Sequence, residues 1–70
     1  MAVSYKKLWI LLIEKDMKKT DLRIQSGIST GALAKLGRNE NVNTEVLAKI
    51  CKTLNCDISD IMEMIPGDKE

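Results

Sequence analysis

The sequence has no histidine and no phenylalanine, one proline, two cysteines and only two aromatic residues, Tyr5 and Trp9. Each shortage excludes something. Without histidine there is no imidazole for acid–base work, and none to complete a zinc site with Cys51 and Cys56. The C-x4-C spacing of those cysteines is itself not a usual zinc pattern. Neither has a base nearby in sequence to make it a nucleophile, so Cys51 reads as a small buried hydrophobe. Without phenylalanine the core must come from Leu, Ile, Val, Met and Ala, as helix-on-helix packing prefers. Pro66 is the one proline, so nothing interrupts a helix before it. The apolar run Leu8–Ile13 is far too short for a membrane span. Met1–Tyr5 is not followed by a cleavage motif, so no signal peptide is expected and a reducing cytoplasm is the expected setting. Gly27, Gly31 and Gly37 are spread over a helix and its ends rather than gathered into a phosphate-cradling loop. The carboxylates fall mainly at helix starts or on exposed faces. Catalysis, a cofactor and a metal are therefore all unexpected.

What remains is a single domain over residues 1–70, with 44% hydrophobic and 30% charged residues. The net charge is +1, but its distribution is uneven. Residues 1–38 hold eight Lys and Arg against three acids; residues 39–70 hold three Lys against seven acids. A basic half followed by an acidic half suggests one side facing a polyanion and another solvated or self-associating. Ordinary scatter of surface charge is the plainer alternative.

Helical periodicity recurs along the chain, and no period-two alternation predicts a strand. Ser4 is placed to cap a first helix reaching about Asp16, with Leu8, Trp9, Leu12 and Ile13 as its buried stripe. Ile10 and Leu11 widen that apolar surface beyond one face, so this helix is either unusually covered or meets another chain. Thr20 is expected to cap helix two, with Asp21 in its first turn. Gly27 should end that helix in the left-handed conformation, with Ile28 plugging the turn. Ser29 or Thr30 caps helix three, which runs to about Gly37. A polar loop follows, with Val42 tucked in, and Thr44 caps helix four. The apolar positions of helix four, Leu47, Ile50, Cys51 and Leu54, keep the i, i+3, i+4, i+7 pattern. Asp57 caps a fifth helix carrying Ile58, Ile61, Met62 and Ile65, stopped by Pro66 and Gly67, with a frayed tail over 68–70.

The most informative segment is KTDLRIQSGISTGALAKL, residues 19–36. Two helices of about two turns meet at Gly27, each too short to be stable alone. This is the sequence form of a helix-turn-helix, spanning about 19–37, in which the second helix is presented to the DNA major groove. Leu33 and Leu36 face inward. Ser29, Thr30, Gly31 and Lys35 are left as small or polar outward positions, the candidate base-reading set. Their hydroxyls can bond base edges, and Lys35 can donate to guanine. A solvated polar face is the plainer reading, but Gly31 argues against it. Glycine inside an exposed helix costs about 1 kcal/mol relative to alanine, and close approach to a partner would offset that. Lys18, Lys19, Arg38, Asn41, Asn43 and Thr44 lie at helix starts or in the loop around this helix, the candidate phosphate-contacting set. Taken singly, each is equally compatible with surface solubility.

On these residues the chain, from 5 to 65, resembles the phage-repressor helix-turn-helix family: the lambda and 434 repressor and Cro type, also called XRE. The run LAKLGRNENVNTEVLAKICKTLNCDISDIME, residues 33–63, is similar to short stand-alone regulators of low-GC bacteria and their mobile elements. The resemblance implies an all-α, compact five-helix domain. It assigns backbone anchoring to Lys19 at the start of helix two. Base reading falls to Ser29, Thr30, Gly31 and Lys35, and phosphate contact to Arg38, Asn41, Asn43 and Thr44. Two places depart from the family pattern. Arg23 stands where alanine is common, and Thr30 and Gly31 stand where the phage proteins carry base-reading glutamines.

The reading is thus a small transcriptional regulator, a repressor, binding an inverted-repeat operator as a homodimer. Its dimer surface is expected on helix five, with help from Ile10. The alternative is a protein-interaction module, such as an antitoxin or adaptor on the same fold, whose partner covers helices one and five. The near-zero net charge keeps that alternative open.

Overall fold

The computed structural model describes residues 2–66. In chain order these form β1 (Ala2–Ser4), α1 (Lys6–Glu14), α2 (Lys19–Ser26), α3 (Thr30–Gly37) and α4 (Thr44–Leu54). A single 3-10 turn (Ile58–Asp60) and β2 (Glu63–Ile65) complete them. The core draws on nearly every element: Leu8 and Leu12 from α1, Leu22 from α2, Leu36 from α3, and Leu47, Ile50 and Leu54 from α4. Each helix therefore buries one stripe, and α2 packs chiefly on α4.

The helix starts differ by small steps from those the sequence predicts. α1 begins after Tyr5, not Ser4. Ser4 belongs to β1, although its Oγ still accepts from the Lys6 N–H at 3.3 Å. The N-cap of α2 is Lys18 rather than Thr20, and its N–H donates to Asp21 Oδ2 at 3.0 Å. The N-cap of α4 is Asn43 rather than Thr44, with Oδ1 accepting from Val46 N–H at 2.9 Å. α1 stops at Glu14, and Asp16 turns the chain at φ 57°. The predicted stripe of α1 is only half right. Leu8 and Leu12 are buried, Trp9 is half-buried, and Ile13 is 77% exposed.

Two corrections concern the ends. The sequence predicts no strands, yet β1 and β2 pair antiparallel, with Ala2 opposite Ile65, Val3 opposite Met64 and Ser4 opposite Glu63. The predicted fifth helix is one 3-10 turn followed by β2. Asp57 and Asp60 form a reciprocal cap, with Asp57 N–H donating to Asp60 Oδ2 at 3.0 Å. One turn of helix is marginal without length, however, and pairing with β1 satisfies the backbone beyond it instead. Ile61 reaches the core, whereas Ile58 and Ile65 stay exposed. Gly67 and the tail 68–70 lie outside the described residues. Among the described residues, no helix is long and apolar enough to cross a membrane.

Candidate nucleic-acid interface

The turn between α2 and α3 is built as its sequence requires. Gly27 has φ 80°, and its N–H donates to Arg23 O at 3.0 Å. That closes α2 in a conformation costly for a side-chain-bearing residue. Ser26 Oγ donates to Leu22 O at 2.6 Å, and Ile28 is buried beneath the turn. Ser29 then starts α3, its Oγ accepting from Ala32 N–H at 3.0 Å. Leu36 is fully buried, and Ala32 and Leu33 are half-buried. Thr30, Gly31, Ala34 and Lys35 form the exposed face. The two short helices are thus held by one turn and a shared core rather than by their own length.

Beside α3 runs an open groove of about 270 Å³, lined by Ser29, Gly31, Ala32, Lys35, Val42, Asn43 and Val46. It brings together three of the four candidate base-reading residues and one candidate phosphate contact. Thr30 is exposed on the same helix but does not line this groove. A Cβ built on Gly31 would meet only Ser29 Oγ, at 3.8 Å. Nothing inside the protein therefore demands glycine there. The caps alter what two residues can offer. Ser29 Oγ and Asn43 Oδ1 already accept backbone N–H groups. The Ser29 hydroxyl hydrogen and the Asn43 amide N–H groups are left as donors, the polarity suited to phosphate and to base acceptors.

The loop after α3 is fastened by contacts that the sequence does not predict. Tyr5 is 1% exposed; its N–H donates to Asn39 Oδ1 at 3.1 Å and its hydroxyl to Glu40 O at 2.9 Å. Burial pushes the Tyr5 hydroxyl above the ordinary tyrosine range, against a smaller opposing effect of the Val42 backbone. Asn39 sits at φ 56°, a left-handed position that asparagine tolerates better than most residues. The asparagines of this loop were the available signal, together with the single tyrosine of the chain. Arg38 is not a bare cation. Its Nε donates to Glu40 Oε2 at 2.8 Å and its Nη2 to Oε1 at 3.4 Å. This hydrogen-bonded pair holds Glu40 below, and Arg38 above, their ordinary pKa ranges. A phosphate at Arg38 must therefore compete with Glu40.

Among the remaining candidates, Lys18 and Lys19 line a separate hollow with Trp9 and Met17. Asn41 and Thr44 are exposed on either side of the groove residues Val42 and Asn43. Lys18 and Lys19 are exposed at the start of α2, with Lys19 Nζ 4.4 Å from the centroid of the Trp9 ring. Arg23 is half-buried.

Residues 7–67 match the Cro/C1-type helix-turn-helix DNA-binding domain. The chain belongs to this family. It is also similar to the transcriptional regulator VanUg, in the crystal structure of its form II. The two are 56% identical and superpose with a TM-score of 0.90, over 94% of this chain and 88% of that one. No curated protein matches the chain. The Cro/C1-type domain identifies DNA as the partner class. Among the described residues, no group of three or more Cys, Asp or Glu is placed to hold a metal ion. Cys51 and Cys56 are free thiols in contact with each other. Burial, followed by the neighbouring Cys56, raises Cys51 to about 11.

Proposed function

We propose that this protein is a small transcriptional regulator, a repressor, working in the cytoplasm as a homodimer on an inverted-repeat operator. α3 enters the major groove. Ser29, Thr30, Gly31 and Lys35 read base edges, while Lys18, Lys19, Arg38, Asn41, Asn43 and Thr44 hold phosphates. The observation that carries this reading is the groove joining Ser29, Gly31 and Lys35 to the α4 cap Asn43, in a chain of the Cro/C1-type family. Its lining offers donors and small side chains, which suits acceptor-rich DNA edges. The likeness to VanUg, a transcriptional regulator, supports the regulatory role. A non-catalytic role follows from the same reading.

One subunit spans only a few base pairs. A two-fold dimer doubles the contacts and places half-sites about 34 Å apart along the duplex. With the fifth helix replaced by β2, the candidate dimer residues become Met64 and Ile65 on that strand and Ile10 on α1, all substantially exposed. Selection of duplexes from a random library by the purified protein, at near-physiological salt, tests the proposal. Enrichment of an inverted repeat is expected. Absence of enrichment, with only weak salt-sensitive binding, would contradict it and favour a protein partner instead.

A further inference from the structure

Trp9 is the only tryptophan of the chain, in a core otherwise built without phenylalanine. Its ring is half-buried, packed against the core from α1, and the Lys19 ammonium lies over it. Lys19 Nζ lies 4.4 Å from the ring centroid. Around the pair, Leu12, Ile13 and Met17 complete an apolar hollow whose rim carries Lys18 and Lys19. A leucine could fill the buried part of that volume. Only an aromatic ring also offers a negative face to an ammonium group.

Lys19 is the first residue of α2, and the amino end of that helix already carries the Asp21 carboxylate, bonded to Lys18 N–H. That carboxylate opposes an anion there, so attraction of a phosphate depends on the lysine ammonium. A free lysine chain samples many rotamers, and ordering one on binding costs entropy. The ring orders it beforehand. We propose that Trp9 is a positioning residue for DNA binding: its ring holds the Lys19 ammonium in place at the start of α2 to meet a backbone phosphate. This inference rests on the reading that Lys19 contacts phosphate.

A double-mutant cycle tests it, with fluorescence anisotropy of a labelled mixed-sequence DNA duplex at low salt. A phosphate contact is independent of sequence, so no operator is needed. Trp9→Leu is expected to weaken binding about two- to fivefold in the wild-type background. It is expected to cost nothing further in Lys19→Met, because the two residues act through one contact. Trp9→Phe, which keeps a ring, should recover part of the loss. The Trp9 emission of free Lys19→Met should differ from that of the wild type, a readout that does not depend on DNA or on replacing the ring. A Trp9→Leu loss that persists undiminished without Lys19 would overturn the inference alone, as would unchanged emission in Lys19→Met. A wild-type protein that binds no duplex, or a Lys19→Met protein that binds as tightly as wild type, would overturn the phosphate reading and the inference with it.

Discussion

Arg38 shows how a residue's role depends on its nearest neighbour. Its type and its place after α3 suit phosphate contact, yet its guanidinium is bonded through two nitrogens to Glu40. Both side chains are exposed, so the pair contributes little to stability, but it partly cancels the charge that a phosphate would feel. Arg38→Ala is expected to weaken binding to all duplex sequences alike and to lower the salt slope by about one. Glu40→Gln should act in the opposite direction, tightening binding at low salt by freeing Arg38 and removing a negative charge, with the gain fading as salt rises. Anisotropy titrations across a salt series check both. Weaker binding by Glu40→Gln at every salt concentration would mean that the pair orders Arg38 for contact instead of competing for it. Neither the pair nor the Tyr5 clamp was legible in the sequence. Arg38 and Glu40 are two residues apart, a spacing with no preferred meaning in a loop. Tyr5 meets Asn39 and Glu40 only through the folding of the whole first half of the chain.

At the scale of elements, the α2–α3 unit was legible because its signals are local. Gly27 ends one helix, Ser29 caps the next, and Leu22, Ile28 and Leu36 fall where the core needs them. The cap of α4 shifted by one residue because two competent capping groups, Asn43 and Thr44, stand side by side, whereas at α2 the N-cap Lys18 offers no accepting side chain and its N–H is met by Asp21. Which of Asn43 and Thr44 acts is settled by backbone geometry, not by residue type. The β ribbon was not legible. Strands of three residues carry no readable period, and β1 and β2 come from opposite ends of the chain. Ile58, Ile61, Met62 and Ile65 imitate a helical stripe, but only Ile61 reaches the core fully. Gly27→Ala is expected to destabilise the protein by about 1–2 kcal/mol, the cost of a left-handed conformation. The cost is one of backbone conformation alone, since an added Cβ meets nothing within 4 Å. Gly27→Asn should lose less. Urea unfolding midpoints measure both, and equal losses would point to a different cause.

For the whole molecule, a small aliphatic core supports a basic first half and an acidic second half. The candidate contacts Lys18, Lys19, Lys35 and Arg38 all fall in the basic half. The two thiols, at the end of α4 and just beyond it, give stability a dependence on alkaline pH. Burial raises Cys51 from 9.0 to about 11 and raises Cys56 in the same direction. The native state therefore holds these protons more tightly than the unfolded chain does. The resulting stabilisation is fully present below the ordinary thiol value and is lost as pH rises through about 11. Tyr5, raised by burial, adds to the loss at the alkaline end. Denaturant midpoints should stay flat near neutrality and fall across that window, less steeply in a Cys51→Ala, Cys56→Ala double variant. A double variant with the same alkaline slope would assign the dependence to other groups. The claim on which the function depends is that α3 reads bases, and Lys35 is its test. Dissociation constants of wild type and Lys35→Ala, on a selected duplex and its single-base-pair variants, measure this directly. The predicted result is a loss of about 1–3 kcal/mol, with discrimination relaxed at one position. Affinity and sequence preference both unchanged would contradict it.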